Sequence, residues 1–370
     1  MKQRIIKKIL ISVVLFLVSI NLTLASAESF PLVSEETDEY AFVTTSDFET
    51  GHFATIKIKG KKSKAKKYNK AELNSDAIPK TIDDKIYVVN RMGQDNITIY
   101  STQNFKKPLI QFSTGNGSNP HDIVLTSNDK AYISLYEKGY LLVVNPNTGA
   151  ELKRIDISSF ADNDGIPEAD QMVIVDVILY VTLLKLDRNN LYQPAENGEL
   201  LMIDTTDDTI IGSIVLTGQN PYDILYNESL DKLVITETGS FYDLTDGGIE
   251  TVDPNTHEAS GFILTESDFE GNITESAMKP SSSQGYIIVT DAAYNTSVAS
   301  FDLAEAKKLK DIYATSGFYI FGIAVNAENL LVGDRTPKKP GVRIFSTATD
   351  EQITTKPINT GLPPYSITIY

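Results

Sequence analysis

Short apolar runs alternate with polar turns from about residue 40 to the C-terminus. The runs are four to seven residues long, and the turns between them are rich in Asp, Asn, Gly and Pro. Such runs are typical of short β-strands with a buried face. The pattern is clearest at 119–157, where four runs follow one another, and we label them strands a to d. The chain is therefore predicted to be all-β.

This four-strand unit recurs along the chain. Copies align on an Asp-Lys turn between strands a and b, and on c–d turns at 145–149, 204–208, 253–257 and 346–350. The residue before the first apolar position of strand a marks each unit. These marks are Asp76, His121, Ala169, Tyr222, Glu275, Phe321 and Tyr365. They lie 44 to 53 residues apart, about 48 on average, which is a spacing typical of repeat architectures.

Seven marks predict seven units, of which the last is split. Only its strand a is present before the chain ends, at 366–370, while 40–44, 54–58 and the following lysine-rich segment supply strands b, c and d. Four-stranded units repeated around an axis form a β-propeller. We therefore expect a single seven-bladed propeller domain over 39–370, closed by pairing of the C-terminal strand with N-terminal strands. Two β-sandwiches in tandem are the alternative, although no linker interrupts the period.

Several segments resemble the YVTN-type propeller repeats of bacterial and archaeal extracytoplasmic and surface-layer proteins. Tyr87-Val-Val-Asn90 and Tyr180-Val-Thr182 are similar to the signature itself. The part of the repeat that follows the signature is similar to 201–206, 209–218 and 220–224, which contain an Ile-Asp turn, a strand ending in Gly and an Asn-Pro pair. The fifth and sixth units lack the Asn-Pro pair. The resemblance implies the propeller fold and a bacterial, extracytoplasmic protein, but it implies no particular activity.

The N-terminus has the pattern of a secretory signal over residues 1–27. A basic start precedes an apolar run at 9–24 and the small residues Ala25-Ser26-Ala27, so cleavage after Ala27 is predicted. A retained membrane anchor is the alternative. We expect a flexible acidic segment at 28–38 and a secreted or periplasmic product with no membrane span after cleavage.

The composition and net charge of the chain exclude several kinds of functional site and partner. The chain has no Cys and three His, which excludes disulfide scaffolds, Cys-ligated metals, covalent haem and thiol catalysis. Without the first 27 residues, 29 basic residues face 49 acidic ones, a net charge of −20. Such a charge disfavours nucleic acid as a partner. Eight lysines at 57–70 oppose this trend, and they indicate either a protected edge strand or a patch for an anionic partner.

The predicted ligand site is the mouth of the central channel, which strand a lines. The d–a and b–c loops open on the same face, and the longest b–c loops, at 185–197 and 239–248, add aromatic side chains. The candidate ligand-binding residues are Asp76, His121, Glu168, Asp170, Tyr222, Glu275, Phe321, Tyr365, Tyr192, Phe241, Tyr242 and Tyr294. His121 is a candidate general base or ligand anchor, unless it simply hydrogen-bonds a carboxylate such as Asp122.

The best metal candidate is the short-spaced pair Asp162 and Asp164, followed by Gly165 and close to Glu168. Oxygen ligands around a Gly bend suit Ca²⁺, but the EF-hand frame fails, and a solvated turn is the alternative. No other cofactor is expected.

The favoured function is a noncatalytic binding or scaffold propeller that recognises protein, peptide or glycan. A lactonase-like hydrolase with a carboxylate or metal site at the channel mouth is the alternative. A redox propeller is disfavoured because so few His are available. The chain has no Ser nucleophile elbow of the Gly-x-Ser-x-Gly type.

Overall fold

A computed structural model describes residues 38–370, so the proposed leader and residues 28–37 of the acidic segment lie outside the described residues. The described part forms seven antiparallel sheets arranged as a seven-bladed β-propeller, as predicted. Six blades have four strands. In the seventh, three strands are completed at the outer edge by isolated bridges from 352–358. Among the described residues, no helix has the length and apolar character needed to cross a membrane.

The strands run outwards from the channel in each blade. Blade 1 begins with its three outer strands, β1 (Tyr40–Ser46), β2 (Gly51–Lys57) and β3 (Lys64–Leu73). Blade 2 contains β4 (Ile78–Ile82), β5 (Lys85–Asn90), β6 (Asn96–Ser101) and β7 (Ile110–Ser113). Blade 3 contains β8 (Pro120–Ser127), β9 (Lys130–Leu135), β10 (Tyr140–Asn145) and β11 (Ala150–Asp156). Blade 4 contains β12 (Ala169–Val175), β13 (Ile178–Leu183), the small hairpin β14 (Leu186–Asp187) and β15 (Gln193–Pro194), then β16 (Glu199–Asp204) and β17 (Thr209–Val215).

The remaining elements follow the same order. Blade 5 contains β18 (Pro221–Asn227), β19 (Lys232–Glu237), β20 (Gly248–Val252) and β21 (Ala259–Thr265). A single α-helical turn, α1 (Glu266–Phe269), leads to blade 6, with β22 (Asn272–Met278), β23 (Gln284–Thr290), β24 (Thr296–Asp302) and β25 (Lys307–Ala314). Blade 7 contains β26 (Ile320–Val325), β27 (Asn329–Asp334) and β28 (Gly341–Ser346). The last strand, β29 (Pro364–Ile369), returns to blade 1, and single 3₁₀ turns lie at Gly60–Lys62, Ser158–Phe160 and Arg188–Asn190.

The ring is closed by the two ends of the described chain. Strand β29 pairs antiparallel with β1, with Val43 opposite Ile367 and Ala41 opposite Ile369. Tyr40 and Tyr370 exchange two backbone hydrogen bonds of 2.9 and 2.7 Å. The predicted closure is confirmed, and β3 is confirmed as the outer strand of the closing blade.

Buried apolar side chains form seven clusters within residues 38–370, one between each pair of neighbouring blades. The cluster between blades 7 and 1 joins Val43 and Ile367 to Leu331 and Ile344. An open row of seven blades would have only six such interfaces. The core therefore lies between the blades, and closure completes it.

The turns between strands c and d share one backbone geometry, which accounts for the residues that recur in them. In each of four turns the fifth residue donates its backbone N–H to the carbonyl of the first, as from Gly149 to Asn145. That fifth residue has positive φ in every case, which Gly and Asp adopt readily. His257 occupies this position with φ +61°, so its role is structural.

Tyrosines at the start of strand b bind blades to each other. The hydroxyl of Tyr132 donates to Asp208 in the c–d turn of the next blade, and Tyr286 donates to Asp350 over 2.8 Å in the same way. Tyr180 reaches the carbonyl of Pro254. The buried ring packs between blades while its hydroxyl fastens the turn, which explains why a Tyr belongs in this repeat.

We expect Ile367→Ala to lower the free energy of unfolding by about 2–4 kcal/mol, because the substitution leaves a cavity in the closing cluster. Ile211→Ala, on the outer strand β17 where Ile211 is 48% exposed, should cost less than about 0.5 kcal/mol. Urea unfolding measures both. Equal effects of the two substitutions would contradict a stabilising role for β29.

Candidate functional site

The inner strands of the blades surround one channel, since each inner strand contacts the inner strands of both neighbouring blades. In six of the seven, two consecutive residues oppose one residue of the second strand, which is a β-bulge. A bulge bends the strand and redirects a side chain. The bulged pairs are 121–122, 170–171, 222–223, 274–275, 321–322 and 365–366.

The first residues of these bulges form a ring at the channel mouth. They are His121, Asp170, Tyr222, Thr274, Phe321 and Tyr365, and Asp76 lies just before β4 in blade 2. The predicted ring was wrong by one residue in two blades. Ala169 is completely buried in the cluster between blades 3 and 4, and Glu275 is the second residue of its bulge, because sequence alignment did not register the inserted residue.

The second residues of the bulges connect neighbouring blades. Carboxylates of Asp122, Asp223 and Glu275 accept the backbone N–H of Met172, Ser276 and Ile323, over 2.8, 2.9 and 3.0 Å. Each donor is the residue after the bulge in the next blade. These three acids are therefore structural contacts between blades.

Burial shifts the pKa values of these acids. It raises the pKa of Asp223 to about 6 and that of Glu275 to about 8, although the backbone donors partly oppose the shift. Asp122 forms an ion pair with Lys80 over 2.5 Å, but burial still raises its pKa. A raised pKa here reflects packing in the channel and is not by itself a sign of catalysis.

Arg91 lies at the centre of the mouth. Its Nε donates to Asp76 Oδ2 and its Nη2 donates to the Tyr365 hydroxyl, both over 3.2 Å. The channel shields the Tyr222 hydroxyl from water and raises its pKa, and Arg91 and Asp170 are close enough to influence that pKa, although Tyr222 as a whole is 39% exposed. Asp76 Oδ1 is buried and has no hydrogen-bond partner within residues 38–370. Asp76, Tyr222 and Tyr365 therefore share one rim, as predicted.

His121 and Asp170 form a pair across blades 3 and 4. Nδ1 of His121 lies 2.9 Å from Asp170 Oδ1, and the imidazole stacks on Tyr136 with ring centres 4.3 Å apart. Burial opposes ionisation of Asp170, but His121 and Arg91 hold its pKa below the usual range. The expected partner Asp122 was wrong, because that carboxylate is engaged by Lys80 and Met172.

Aromatic side chains line the mouth at blades 7 and 1. Phe321 lies 5.8 Å from Tyr365, 5.2 Å from Phe318 and 6.0 Å from Phe48 between ring centres. The guanidinium of Arg335 lies 4.2 Å from the ring centre of Phe48 and 4.9 Å from that of Phe321. Phe48 and Phe318 are 60% and 53% exposed. We call Phe48, Phe318, Phe321 and Tyr365 the aromatic wall.

The two long loops carry further exposed aromatics. Tyr192 follows the 3₁₀ turn between β14 and β15, and Phe241 and Tyr242 lie between β19 and β20. Ser240 Oγ donates to Gln193 Oε1 over 2.7 Å, which joins the two loops. We call Tyr192, Phe241 and Tyr242 the loop patch. Tyr294 is 62% exposed in the β23–β24 loop of blade 6, with no ring contact to the other aromatics among the described residues.

Arg188 lies at the turn of Asp162 and Asp164, which was predicted to bind calcium, and its guanidinium provides a positive charge there. Its guanidinium lies 3.0 Å from Glu168 and 3.6 Å from Asp164, and its backbone N–H donates to Asp164. Burial raises the pKa of Glu168 to about 8 despite Arg188. Within residues 38–370 no group of three His, Asp or Glu side chains is arranged to hold a metal ion. Glu168 and Asp164 thus hold the loop at 184–198 through Arg188, which also donates to the carbonyl of Tyr136 beside His121. Asp162 accepts the backbone N–H of Asp164.

Sequence reasoning missed the side chains that follow strand b. Arg91, Tyr136 and Arg335 are each the first residue after that strand, in blades 2, 3 and 7, and all three contact ring residues. An alignment of the end of strand b, in addition to strand a, would have placed them at the mouth.

Comparisons with known proteins identify the fold. No family model and no curated protein matches the chain. A candidate 6-phosphogluconolactonase from Bacteroides fragilis is 13% identical, with 91% of this chain and 99% of that chain covered and a TM-score of 0.64. One from Bacteroides uniformis is 10% identical, with 90% and 99% covered and a TM-score of 0.64. AztD from Citrobacter koseri is 10% identical, with 90% and 98% covered and a TM-score of 0.55.

Asp223 makes stability depend on pH. Its pKa is raised in the folded state, so the folded chain holds the proton where the unfolded chain has lost it, and stability falls as pH rises from about 4 to 6. Asp223→Asn should remove about 1–2 kcal/mol of that fall. Asp84→Asn, where the side chain is 71% exposed, is the control. Urea titrations at several pH values test this, and an unchanged slope in Asp223→Asn would contradict it.

Proposed function

We propose that the protein is a noncatalytic recognition propeller that binds a peptide, protein or glycan on the face formed by the b–c and d–a loops. One observation carries this proposal. All seven exposed aromatic side chains within residues 38–370 lie on that face or on the ring at its centre, namely Phe48, Tyr192, Tyr222, Phe241, Tyr242, Tyr294 and Phe318. The exposed large side chains of the outer strands are aliphatic.

The chemistry of the mouth suits a partner with both apolar and polar groups. Aromatic faces bind sugar rings and apolar side chains, while the guanidinium of Arg91 and the hydroxyls of Tyr222 and Tyr365 can fix polar groups. The ring of the mouth is rigid because its side chains already contact one another, as in the Arg91–Asp76 pair.

We infer an extracytoplasmic location from the secretory pattern of residues 1–27. Assignment of the repeats to the YVTN type is also a proposal. It is supported by Tyr180 of the quoted signature, whose hydroxyl donates to the carbonyl of Pro254 in the next blade, and by Tyr132 and Tyr286, which make the equivalent contact from their own blades.

Tyr222→Ala and Tyr242→Ala should each weaken ligand capture by about tenfold or more, because each removes an exposed aromatic contact of the proposed face. Leu152→Ala is the matched control, since Leu152 is 53% exposed on the outer strand β11. The measurement is binding to glycan and peptide arrays, followed by titration of the hits. Thermal unfolding confirms that the variants remain folded.

If hits bind both tyrosine variants as tightly as the control, the loop-rich face is not the binding surface. If no glycan or peptide binds the unaltered protein but a lactone is hydrolysed, the recognition proposal is wrong and the second candidate below replaces it.

A lactonase-like hydrolase is the second candidate, because His121 and Asp170 form a potential general-base pair beside Arg91. A carboxylate that orients an imidazole can support proton abstraction from water, and a guanidinium can stabilise a developing oxyanion. The similarity in fold to the two candidate lactonases makes lactones the first substrates to test.

Hydrolysis of a lactone panel, including 6-phosphogluconolactone, tests this candidate. If the pair is catalytic, Asp170→Asn should lower the rate by about 100-fold or more, while Asp223→Asn at the same channel should leave it within about twofold. Absence of turnover by the unaltered protein, or equal rates in both variants, would contradict hydrolysis at this pair.

A further inference from the structure

The outer edge of blade 1 carries a lysine cluster whose charge is not neutralised by the protein. Strand β3 has ten residues, and Lys64, Lys66, Lys67 and Lys70 are exposed along it. None of the four has an acidic partner within 4.0 Å among residues 38–370. Only Lys57 and Lys59, before the strand, are paired, and both pair with Asp38.

Protection of the sheet edge alone does not account for this cluster. The outer strands β7, β17 and β21 contain no lysine, and the single lysine of β11, Lys153, lies 3.9 Å from Asp208. On β25 the lysines sit beside acids, and Lys308 pairs with Asp311 over 2.8 Å. Within the described residues, the other outer strands thus carry one lysine without an acidic partner within 4.0 Å, Lys310 on β25, whereas β3 carries four, and protection of an edge does not require that many.

A groove of about 650 Å³ runs along one side of β3 towards blade 2. Four lysines line it, two from β3 and two from the β6–β7 connection. They are Lys67, Lys70, Lys106 and Lys107. Positive charge from two different blades thus converges on one concave surface, on which Glu72 is the single acid among the lining residues.

Aromatic rings form the floor of this groove. Tyr68 lies 4.5 Å from Phe53 in a stacked pair and 5.9 Å from Phe105, between ring centres. Lys66 Nζ lies 5.1 Å from the centre of the Tyr68 ring. Flat rings beside ammonium groups can hold a sugar ring by its apolar face while binding its acidic substituent.

A second groove, of about 410 Å³, lies on the other side of β3 towards blade 7. Lys61, Lys64 and Lys356 line it. Lys67 of the first groove donates to Asn359 of the second over 2.5 Å, so the two grooves meet across the strand. Lys64 and Lys70 lie about 20 Å apart along β3, given about 3.3 Å per residue, which gives this surface the length of a polymer site.

We propose that the lysine edge, defined as the two grooves on either side of β3, binds a linear anionic glycan polymer, with its acidic groups on the lysines and a sugar ring on Tyr68. Charge complementarity argues for this occupant. The whole chain has a net charge of −16, which disfavours polyanions in general, whereas the lysine edge gathers unpaired positive charge in one place. The proposal is independent of the function assigned to the loop-rich face.

Two double variants separate binding from edge protection. Lys67→Gln with Lys70→Gln alters the edge strand itself, whereas Lys106→Gln with Lys107→Gln alters the facing groove wall in blade 2 and leaves the strand intact. Lys308→Gln with Lys310→Gln on β25, the outer strand of blade 6, is the matched control. Thermal unfolding and size-exclusion chromatography verify folding and monodispersity.

The probes are two acidic glycans, polygalacturonate, which carries carboxylates, and dextran sulfate, which carries sulfate esters, and comparing them shows which acidic group is preferred. Neutral dextran and polyglutamate test the need for charge and for sugar rings. We expect the unaltered protein to bind at least one acidic polymer at low salt. Both groove variants should bind about tenfold or more weakly, and the dependence of log affinity on log salt should become shallower by roughly 1–2. The control should be unchanged.

Failure to bind either acidic polymer would overturn the proposal. So would full affinity in the Lys106 and Lys107 variant, because the charge would then serve only the strand edge. Equal binding of polyglutamate, or tighter binding to vesicles of anionic phospholipid, would replace the glycan with an acidic protein or a membrane as the partner.

Discussion

Closure of the ring is the constraint on which the other features depend. Each blade has two apolar faces, and each face is buried only against a neighbour, so an open array would leave two faces in water. Pairing of β29 with β1 removes both free faces at once and completes the seventh cluster between Ile367 and Leu331. Only in a closed ring do side chains from opposite ends of the sequence, such as Arg91 and Tyr365, meet at one mouth.

The bulges of the inner strands give the mouth its two layers. The first bulge residue projects into the ring, where His121, Tyr222 and Tyr365 lie. The second leaves a backbone N–H of the next residue available, and a carboxylate from the preceding blade accepts it, as Asp223 accepts that of Ser276. Two kinds of acid therefore share one channel. Those of the second layer hold blades together, whereas Asp170 of the first layer pairs with His121, and Asp76, just before β4, pairs with Arg91.

The sequence was sufficient for the blade count, the closure and most of the rim, because short apolar runs and Asp-rich turns are local signals that repeat. The positions of Ala169 and Glu275 were misjudged because a bulge adds one residue without changing the apolar pattern. Arg91 was missed because nothing local distinguishes a loop arginine from any other surface cation. Its burial beside Asp76 and Tyr365 arises from contacts between blades 2 and 1 that are 274 residues apart in sequence.

The loop-rich face and the lysine edge lie in different parts of the propeller. Loops after strands b and d build the face, whereas β3 lies at the outer rim of the disc. A polymer held along the edge would therefore leave the mouth open, and the rigid blades between the two surfaces require no conformational change for both to be occupied. Retention on a polymer raises the local concentration of any second ligand attached to the same material. A moderate affinity at the loop-rich face would then suffice to retain such a ligand.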